Sequence, residues 1–430
     1  MRSVRVGLVG LGTVGSGVVE IFRRHQLDFR RRAGVNVEFT WFADLSEERA
    51  AELGLPLANF TTDGMSVTTH PEVDIVIELI GGTGIAREVV LSALRAGKSV
   101  VTANKALIAT HGEEIMDAAE ASGVDILFEA SVGGGIPIIG PLKHSLTSNE
   151  ITSVTGIVNG TTNYMLTRMQ ADGLGYDEAL TEAQDLGFAE ADPTADVDGL
   201  DAAAKIAILA SIAFNSRVVM SQVPAEGIRA LEAADVAYAE AMGYAIKLLA
   251  IARRTETGID VRVHPTMIPE DHPLASVNGV YNAVYVVGDA VGETMFFGEG
   301  AGSLPAASAV VGDVIEVARR IQADNCKPLV GCTCTETLPV RGISELETRY
   351  YVRMHVVDKP GVLAATAKVF GDHGVSLASV IQQSDSEAGL AELVYVTHVA
   401  RESAIRSALD EIEGMDVVER VASLIRVEDL

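Results

Sequence analysis

The stretch "VRVGLVGLGTVGSGVVEIF", Val4 to Phe22, decides the reading of the first third of the chain. An apolar run, Val4–Val9, leads into a complete G-x-G-x-x-G, Gly10–Gly15, and that pattern opens a helical stretch, Ser16–Arg24. A glycine pattern alone carries little weight, but placed between a strand and a helix it has a mechanism. Gly10 permits the tight turn, Gly12 lets the backbone approach a pyrophosphate, and Gly15 allows the helix to pack closely. The helix N-terminus then presents free N–H groups to phosphate oxygens. A carboxylate at the end of the second strand normally bonds the ribose hydroxyls of NAD, and Asp44, after "VEFTWFA", occupies that place. Arg49 is a candidate for a 2′-phosphate, but the residue directly before the aspartate is Ala43, so the pattern favours NAD over NADP.

Outward from this loop, apolar runs alternate with helix-like stretches: "VNVEFTWFAD", "VDIVIELIGG", "KSVVTAN" and "VDILFEASV". Those between Val73 and Ile80 and between Gly123 and Val132 are continuous enough for strands buried on both faces, as in a parallel, doubly wound α/β sheet. From Ile151 the texture changes to mixed strands and helices. Thr161 or Thr162 is expected to cap a helix that stops at Gly173, and "AAKIAILASIAF" and "EAMGYAIKLLAIARR" are expected to be helical. Residues 259–268 and 279–298 have β character. The tail, from "YYVRMHVVD" to "VVERVASLIRV", runs strand, helix, strand, strand, helix, strand, a ferredoxin-like order. The expected organisation is therefore α/β: a Rossmann-type dinucleotide-binding domain over 1–132 and an α+β catalytic and dimerisation domain over 133–323. A linker follows over 324–347, and a ferredoxin-like βαββαβ domain over 348–430. The last helix of the second domain could pack back on the first.

Composition narrows the function. A chain of 430 residues exceeds one core, and 48% hydrophobic with 21% charged residues describes a globular protein. A net charge of −26 argues against a nucleic-acid partner. No apolar run is long enough to span a bilayer, and the glycines at 7, 10, 12, 15 and 17 break any signal-peptide helix. The three cysteines, Cys326, Cys332 and Cys334, form no secreted disulfide framework, so the chain reads as cytoplasmic. "CTC" is half a metal site, a redox pair, or a pair of small core residues, and the last is favoured where no partner ligand lies nearby.

A second chemical signal is "GFAEADPTADVDGLDAAAK", Gly187–Lys205, which crowds five carboxylates before one lysine. A calcium loop fails here, because alignment on Gly199 puts Thr194 at position one and Lys205 at position twelve. Asp201 and Lys205 lie four apart on one helix face, and the apolar run after them implies a buried helix. A lysine there is paired or functional; one facing a developing alkoxide can donate a proton or stabilise charge. Asp192 and Asp198 carry no assigned chemistry and can simply shape the turn. Lys105, in "TANKALIA", follows a strand and so belongs at the carboxyl edge of the sheet, where such folds bind ligands.

Taken in order, "GLGTVG", "ELIGG", "TANKALIA", "FEASVGGGIPII", "GIVNGTTNYML", "GFAEADPTADVDGLDAAAK" and "GEGAGSLPAASAVVGD" resemble the homoserine dehydrogenase family over essentially the whole chain. The tail, with "DKPGVLAATAKVFGDHGVSLASVIQQ", resembles an ACT domain, a small-ligand regulatory module. The resemblance implies NAD(P)-dependent interconversion of L-homoserine and L-aspartate 4-semialdehyde, on the route to threonine and methionine. It implies Lys205 as proton donor, Asp201 as its neighbouring carboxylate, and Lys105 near the nicotinamide and the reacting oxygen. Glu190 matches the group that binds the substrate ammonium, supported by Gly187 and Asp196. Thr13, Val14, Lys105 and Gly302 match cofactor-contacting positions. Glu129 and the carbonyls of Val132, Gly134 and Ile136 match a monovalent-cation (sodium) site. A homodimer or higher homo-oligomer is implied, as is an amino-acid effector. Threonine is the expected one, near Asp358, Gly361 and the "VIQQ" strand, and deletion from about residue 345 is expected to leave an active, insensitive enzyme. Two other readings are weaker. Aspartate-semialdehyde dehydrogenase needs a nucleophilic cysteine absent from the catalytic motifs, and a non-catalytic sensor would have no use for both lysines and Glu190.

Overall fold

The computed structural model describes residues 3–323, 332–385 and 390–429; Cys326 lies outside them. The chain forms two compact units. The first comprises Met1–Val154, Ala204–Gln222 and Asn282–Leu338, and the second Thr155–Ala203, Val223–Tyr281 and Pro339–Leu430.

In the first unit, β1 (Ser3–Val9), β2 (Asn36–Ala43), β3 (Phe60–Thr61), β4 (Ile75–Glu78), β5 (Ser99–Thr102) and β6 (Ile126–Leu127) form a six-stranded sheet. Its order is β3-β2-β1-β4-β5-β6 and its pairings are parallel. The order reverses direction beside β1, which puts a crevice at the carboxyl ends of β1 and β4. Val4, Val6 and Leu8 of β1 and Ile75 and Ile77 of β4 are fully buried, as the continuous apolar runs require. The helix Ser303–Gln322 supplies Val310, Val314 and Val317 to this same core. β6 is shorter than the apolar run Gly123–Val132 implies. It stops at Leu127 because the chain turns into a 3₁₀ turn, Glu129–Ser131, whose first side chain is drawn to three downstream amides.

The second unit contains the hairpin β8 (Tyr244–Thr255) and β9 (Gly258–Pro269), which follows the chain's β7 (Ile151–Ile157). Here one expectation fails: "EAMGYAIKLLAIARR" is a helix only as far as Ala241. Gly243 takes φ = +79°, ending the helix, and the apolar residues beyond it form β8, buried over most of its length. A short apolar run carries no periodicity that separates a buried strand from a buried helix. After β10 (Tyr281–Gly288) and β11 (Gly292–Glu299), which belong almost wholly to the first unit, the tail builds four main strands. These are β12 (Glu347–Val357), β13 (Leu377–Asp385), β14 (Leu390–Thr397) and, after the two-residue β15 (Ala400–Arg401), β16 (Val418–Val427). Their order β16-β12-β14-β13, with helices Val362–Asp372 and Glu402–Glu413, is the ferredoxin-like arrangement expected.

The tail is not separable from the hairpin. β16 pairs in parallel with β9, Arg426 opposite Thr266. Arg353 of β12, 1% exposed, pairs with the fully buried Asp235 at 2.7 Å, with Glu232 at 2.9 Å and with Glu392 at 2.9 Å. Arg426, equally buried, bonds Glu226 at 2.8 Å and Glu402 at 2.6 Å. Deletion from residue 345 would bare the β9 edge and leave Asp235 and Glu226 without their cations, so it would damage the hairpin as well as the tail. Arg353→Met should destabilise the protein by about 3–5 kcal/mol, because a buried carboxylate loses its counter-charge. Adding Asp235→Leu should recover part of that loss. Urea unfolding of the single and double variants measures both.

Candidate active site

At the carboxyl edge of the first unit's sheet the chain must turn repeatedly, and its loop amides have no strand partners. Three carboxylates accept them. Asp44 takes the Leu11 amide at 2.6 Å and that of Ser46 at 3.0 Å. Glu78, fully buried at the end of β4, takes the amides of Ile80 at 2.7 Å and Gly81 at 3.2 Å and the Thr102 hydroxyl at 2.7 Å. Glu129 takes the amides of Ile138, Ile139 and Gly140 at 2.6, 2.7 and 2.6 Å. Its own amide donates to Asp313 at 2.9 Å. Asp44 therefore shapes the glycine loop itself. Glu78 is a structural residue the sequence reading passed over; its only mark was a charge closing an otherwise apolar run.

The three glycines of the loop differ. Gly10 has φ = +103°, and a Cβ there would stand 2.6 Å from the Leu79 carbonyl. A Cβ on Gly15 would collide with the Gly10 carbonyl. A Cβ on Gly12 would meet nothing within 4 Å, so no protein atom requires glycine at that position. The space in front of Gly12 is the cradle a pyrophosphate would enter, which fits a dinucleotide. Thr13 and Val14 begin the helix Thr13–Asp28, and the Thr13 carbonyl accepts the Ser303 hydroxyl at 2.7 Å. Gly302, φ = +125°, immediately precedes that serine, so Gly302 and the glycine loop are brought together. Arg49 lies across the same loop, donating to the Leu11 carbonyl at 3.2 Å and the Ser16 hydroxyl at 2.9 Å. Lys105 starts the helix Lys105–Ser122 directly after β5, as expected. Asn104 caps that helix by accepting the Leu107 amide at 3.1 Å, and ties it to the Gly82 carbonyl at 2.7 Å.

In the second unit the organising residue is Asn159, 6% exposed. It, rather than Thr161 or Thr162, caps the helix Gly160–Asp172. Its Oδ1 accepts the Thr162 amide and hydroxyl, each at 2.9 Å, while Thr161 donates to the Phe188 carbonyl at 2.6 Å. Gly173, φ = +67°, ends the helix as expected. The other side of the Asn159 amide donates to Asp196 at 2.7 Å and to Asp201 at 3.0 Å. Four hydrogen bonds use the whole capacity of the side chain, so both carboxylates are held in register. Asparagine outranks threonine as a cap, and "VNGTT" contained that signal. Gly187, φ = +75°, ends the helix Tyr176–Asp185, and the Glu190 carbonyl is held by Gln184 at 3.1 Å, leaving the Glu190 side chain exposed. The remaining acids shape the turn: Asp192 accepts from Thr194, which holds its carboxyl below the usual range, and Asp198 pairs with Arg229.

Asp201 and Lys205 lie one turn apart on the helix Leu200–Ala213, and Lys205 is 8% exposed. Val132, Gly134 and Ile136 lie in a turn where Gly133 and Gly134 have φ of +71° and +55°. Glu129, just before this turn, has its carboxylate occupied by the three amides. No group of three His, Cys, Asp or Glu side chains among the described residues could hold a metal ion, and no described helix is long and apolar enough to cross a membrane.

Gly10→Ala should unfold at lower temperature, whereas Gly12→Ala should melt like the wild type yet lose dinucleotide affinity. Thermal scans with and without NAD separate the two effects, and a destabilised Gly12→Ala would refute the open cradle.

Comparison with known proteins agrees with this geometry. The family model described as "Homoserine dehydrogenase, NAD binding domain" matches residues 10–129 and that described as "Homoserine dehydrogenase" matches 137–315. "ACT domain" matches 350–414. The homoserine dehydrogenase of Synechocystis sp. is 49% identical over 433 residues, covering 99% of each chain. That of Bacillus subtilis is 43% identical over 432 residues, 100% of this chain and 99% of its own. The crystal structure of a homoserine dehydrogenase from Thiobacillus denitrificans superimposes with a TM-score of 0.94 at 44% identity, covering 100% of this chain and 99% of its own. A hyperthermophilic archaeal homoserine dehydrogenase in complex with NADPH gives 0.63 at 28% identity, over 74% of this chain and 98% of its own. With its dinucleotide loop, its Asp201–Lys205 helix and these full-length relatives, the chain belongs to the homoserine dehydrogenase family.

Proposed function

We propose that the chain interconverts L-homoserine and L-aspartate 4-semialdehyde with NAD, using Lys205 for the proton and Glu190 for the substrate ammonium. The observation that carries this is the buried lysine one helical turn after a carboxylate that Asn159 orients. A buried ammonium is tolerated only with counter-charge or hydrogen-bond partners, and Asp201 supplies the charge. When bound, the nicotinamide ring supplies the hydride acceptor or donor. Lys205 Nζ takes the hydroxyl proton during oxidation and returns it to the aldehyde oxygen during reduction; Lys105 stabilises charge on that oxygen. Glu190 pairs with the α-ammonium, and Gly187 and Asp196 support that end of the substrate. Gly10, Gly12, Thr13, Val14, Gly15, Asp44, Lys105 and Gly302 hold the dinucleotide.

NAD is favoured over NADP because Asp44 faces the loop while Arg49 is already engaged with Leu11, Ser16 and Glu52. The main-chain oxygens of Glu129, Val132, Gly134 and Ile136 form the proposed sodium site, since hard cations prefer oxygen donors. Threonine is proposed as the effector, contacting Asp358, Gly361 and Val380–Gln383. Gly361, φ = +93°, opens the helix Val362–Asp372, and Val380–Gln383 lie on the edge strand β13. A cytoplasmic homodimer or higher homo-oligomer completes this reading, and sedimentation velocity tests the assembly.

Lys205→Ala should lower homoserine turnover by about 10²-fold or more while NAD binding is retained. Wild-type-like turnover would sink the assignment. Glu190→Asp should raise the Michaelis constant for homoserine more than that for cofactor; an unchanged constant removes Glu190 from ammonium binding. Initial rates with NAD and with NADP, each with and without threonine, test the cofactor preference. Asp358→Ala should blunt threonine inhibition without removing the strands that the hairpin needs.

A further inference from the structure

Two thiols stand outside every role assigned above. The helices Lys105–Ser122 and Leu200–Ala213 run on from the two candidate catalytic lysines, and in the first unit their later turns line a cavity of about 90 Å³. Cys332 and Cys334 line the same cavity, both free and both half-exposed, so they are not the small core residues the sequence suggested. Separated by a single residue, the two thiols open on one cavity. The Arg217 guanidinium donates to Cys332 Sγ at 3.7 Å, and Cys334 Sγ faces the Ser211 carbonyl at 4.0 Å. Lys143, buried in the same wall, sits 4.9 Å from the centre of the Phe128 ring. Among the described residues, Glu113, which pairs with Arg217 at 3.6 Å, is the one acidic side chain lining this cavity. The adjoining Cys334 thiol and the nearby cations bring the Cys332 thiol down to about 6, and the adjoining Cys332 together with burial pushes Cys334 up. A thiolate, a neighbouring thiol and open access are what thiol–disulfide exchange requires.

We propose that Cys332 and Cys334 form a redox dithiol that reacts with low-molecular-weight disulfides, Cys332 attacking and Cys334 resolving. In the first step the Cys332 thiolate attacks one sulfur of the disulfide RSSR; a Cys332–S–S–R bond forms and RS⁻ leaves. In the second, Cys334 loses its proton to solvent and attacks Cys332 Sγ; the intramolecular disulfide forms and a second RS⁻ leaves. The two cysteines are oxidised and the small disulfide is reduced to two thiols.

The test treats the reduced full-length protein with bis(2-hydroxyethyl) disulfide across about pH 4.5–8.5, roughly two units either side of the expected midpoint, and maps the products by mass. The wild type should lose two hydrogens with no adduct, its rate half-maximal near pH 6–7, below the ~8.5 of an ordinary thiol. Cys334→Ser should accumulate one mercaptoethanol adduct on Cys332, and Cys332→Ser should react at least about tenfold more slowly. Arg217→Met should move the half-maximal pH upward, and Cys326→Ser should change nothing. A modification mapped to Cys326, or a Cys332→Ser variant that reacts like the wild type, overturns the proposal.

Discussion

Backbone amides at the carboxyl edge of a parallel sheet have left their ladders and must still find acceptors. In this protein Asp44, Glu78 and Glu129, at or just after the ends of β2, β4 and β6, take them. Each binds two or three N–H groups with its charged oxygens, and such charge-assisted bonds are stronger than neutral ones. The conformation of the glycine loop, the "ELIGG" loop and the turn before Ile136 all follow from this one demand. So does the early end of β6. The same carboxylates fix how the edge is held: at Glu129 the acid is consumed entirely by amides.

The second unit solves a different problem with the same chemistry. Asp196 and Asp201 repel each other, and Asn159 holds them by donating to both while its own oxygen caps a helix. Farther away, Arg353 and Arg426 are almost wholly buried, each surrounded by carboxylates from both the ACT tail and the segment before the hairpin. Ion pairs of this kind contribute little net stability against an apolar alternative, but breaking one is costly. They therefore specify one docking of the ACT strands on the hairpin, which turns a module that looks detachable into part of a continuous sheet.

The legibility of these features in the sequence varied with the range of the interaction. The glycine loop was readable because strand, turn and helix are contiguous. The Asp201–Lys205 pair was readable because helical spacing is local. The helix cap was misplaced by two or three residues, since Asn159 and the threonines after it are all capping types and only the fold decides which is used. "GYAIKLLAIARR" was misread because a twelve-residue apolar run fits a buried strand and a buried helix equally, and its partner β9 begins only after it has ended. The cysteines looked inert because Arg217 and Lys143, which create their environment, lie more than a hundred residues away.

By itself, then, the sequence determined the dinucleotide loop, the order of elements, the ferredoxin-like tail and the family. These depend on local period, turn chemistry and contiguous motifs. Tertiary structure alone decided that Asn159 aligns the two acids, that Glu129 serves amides with its carboxylate, and that β16 joins β9. It also decided that two thiols share a cavity with an arginine. Each of these is a meeting of charge or hydrogen-bonding capacity across distant parts of the chain. Such groups find their partners through folding, because burial makes an unpaired one too costly to keep.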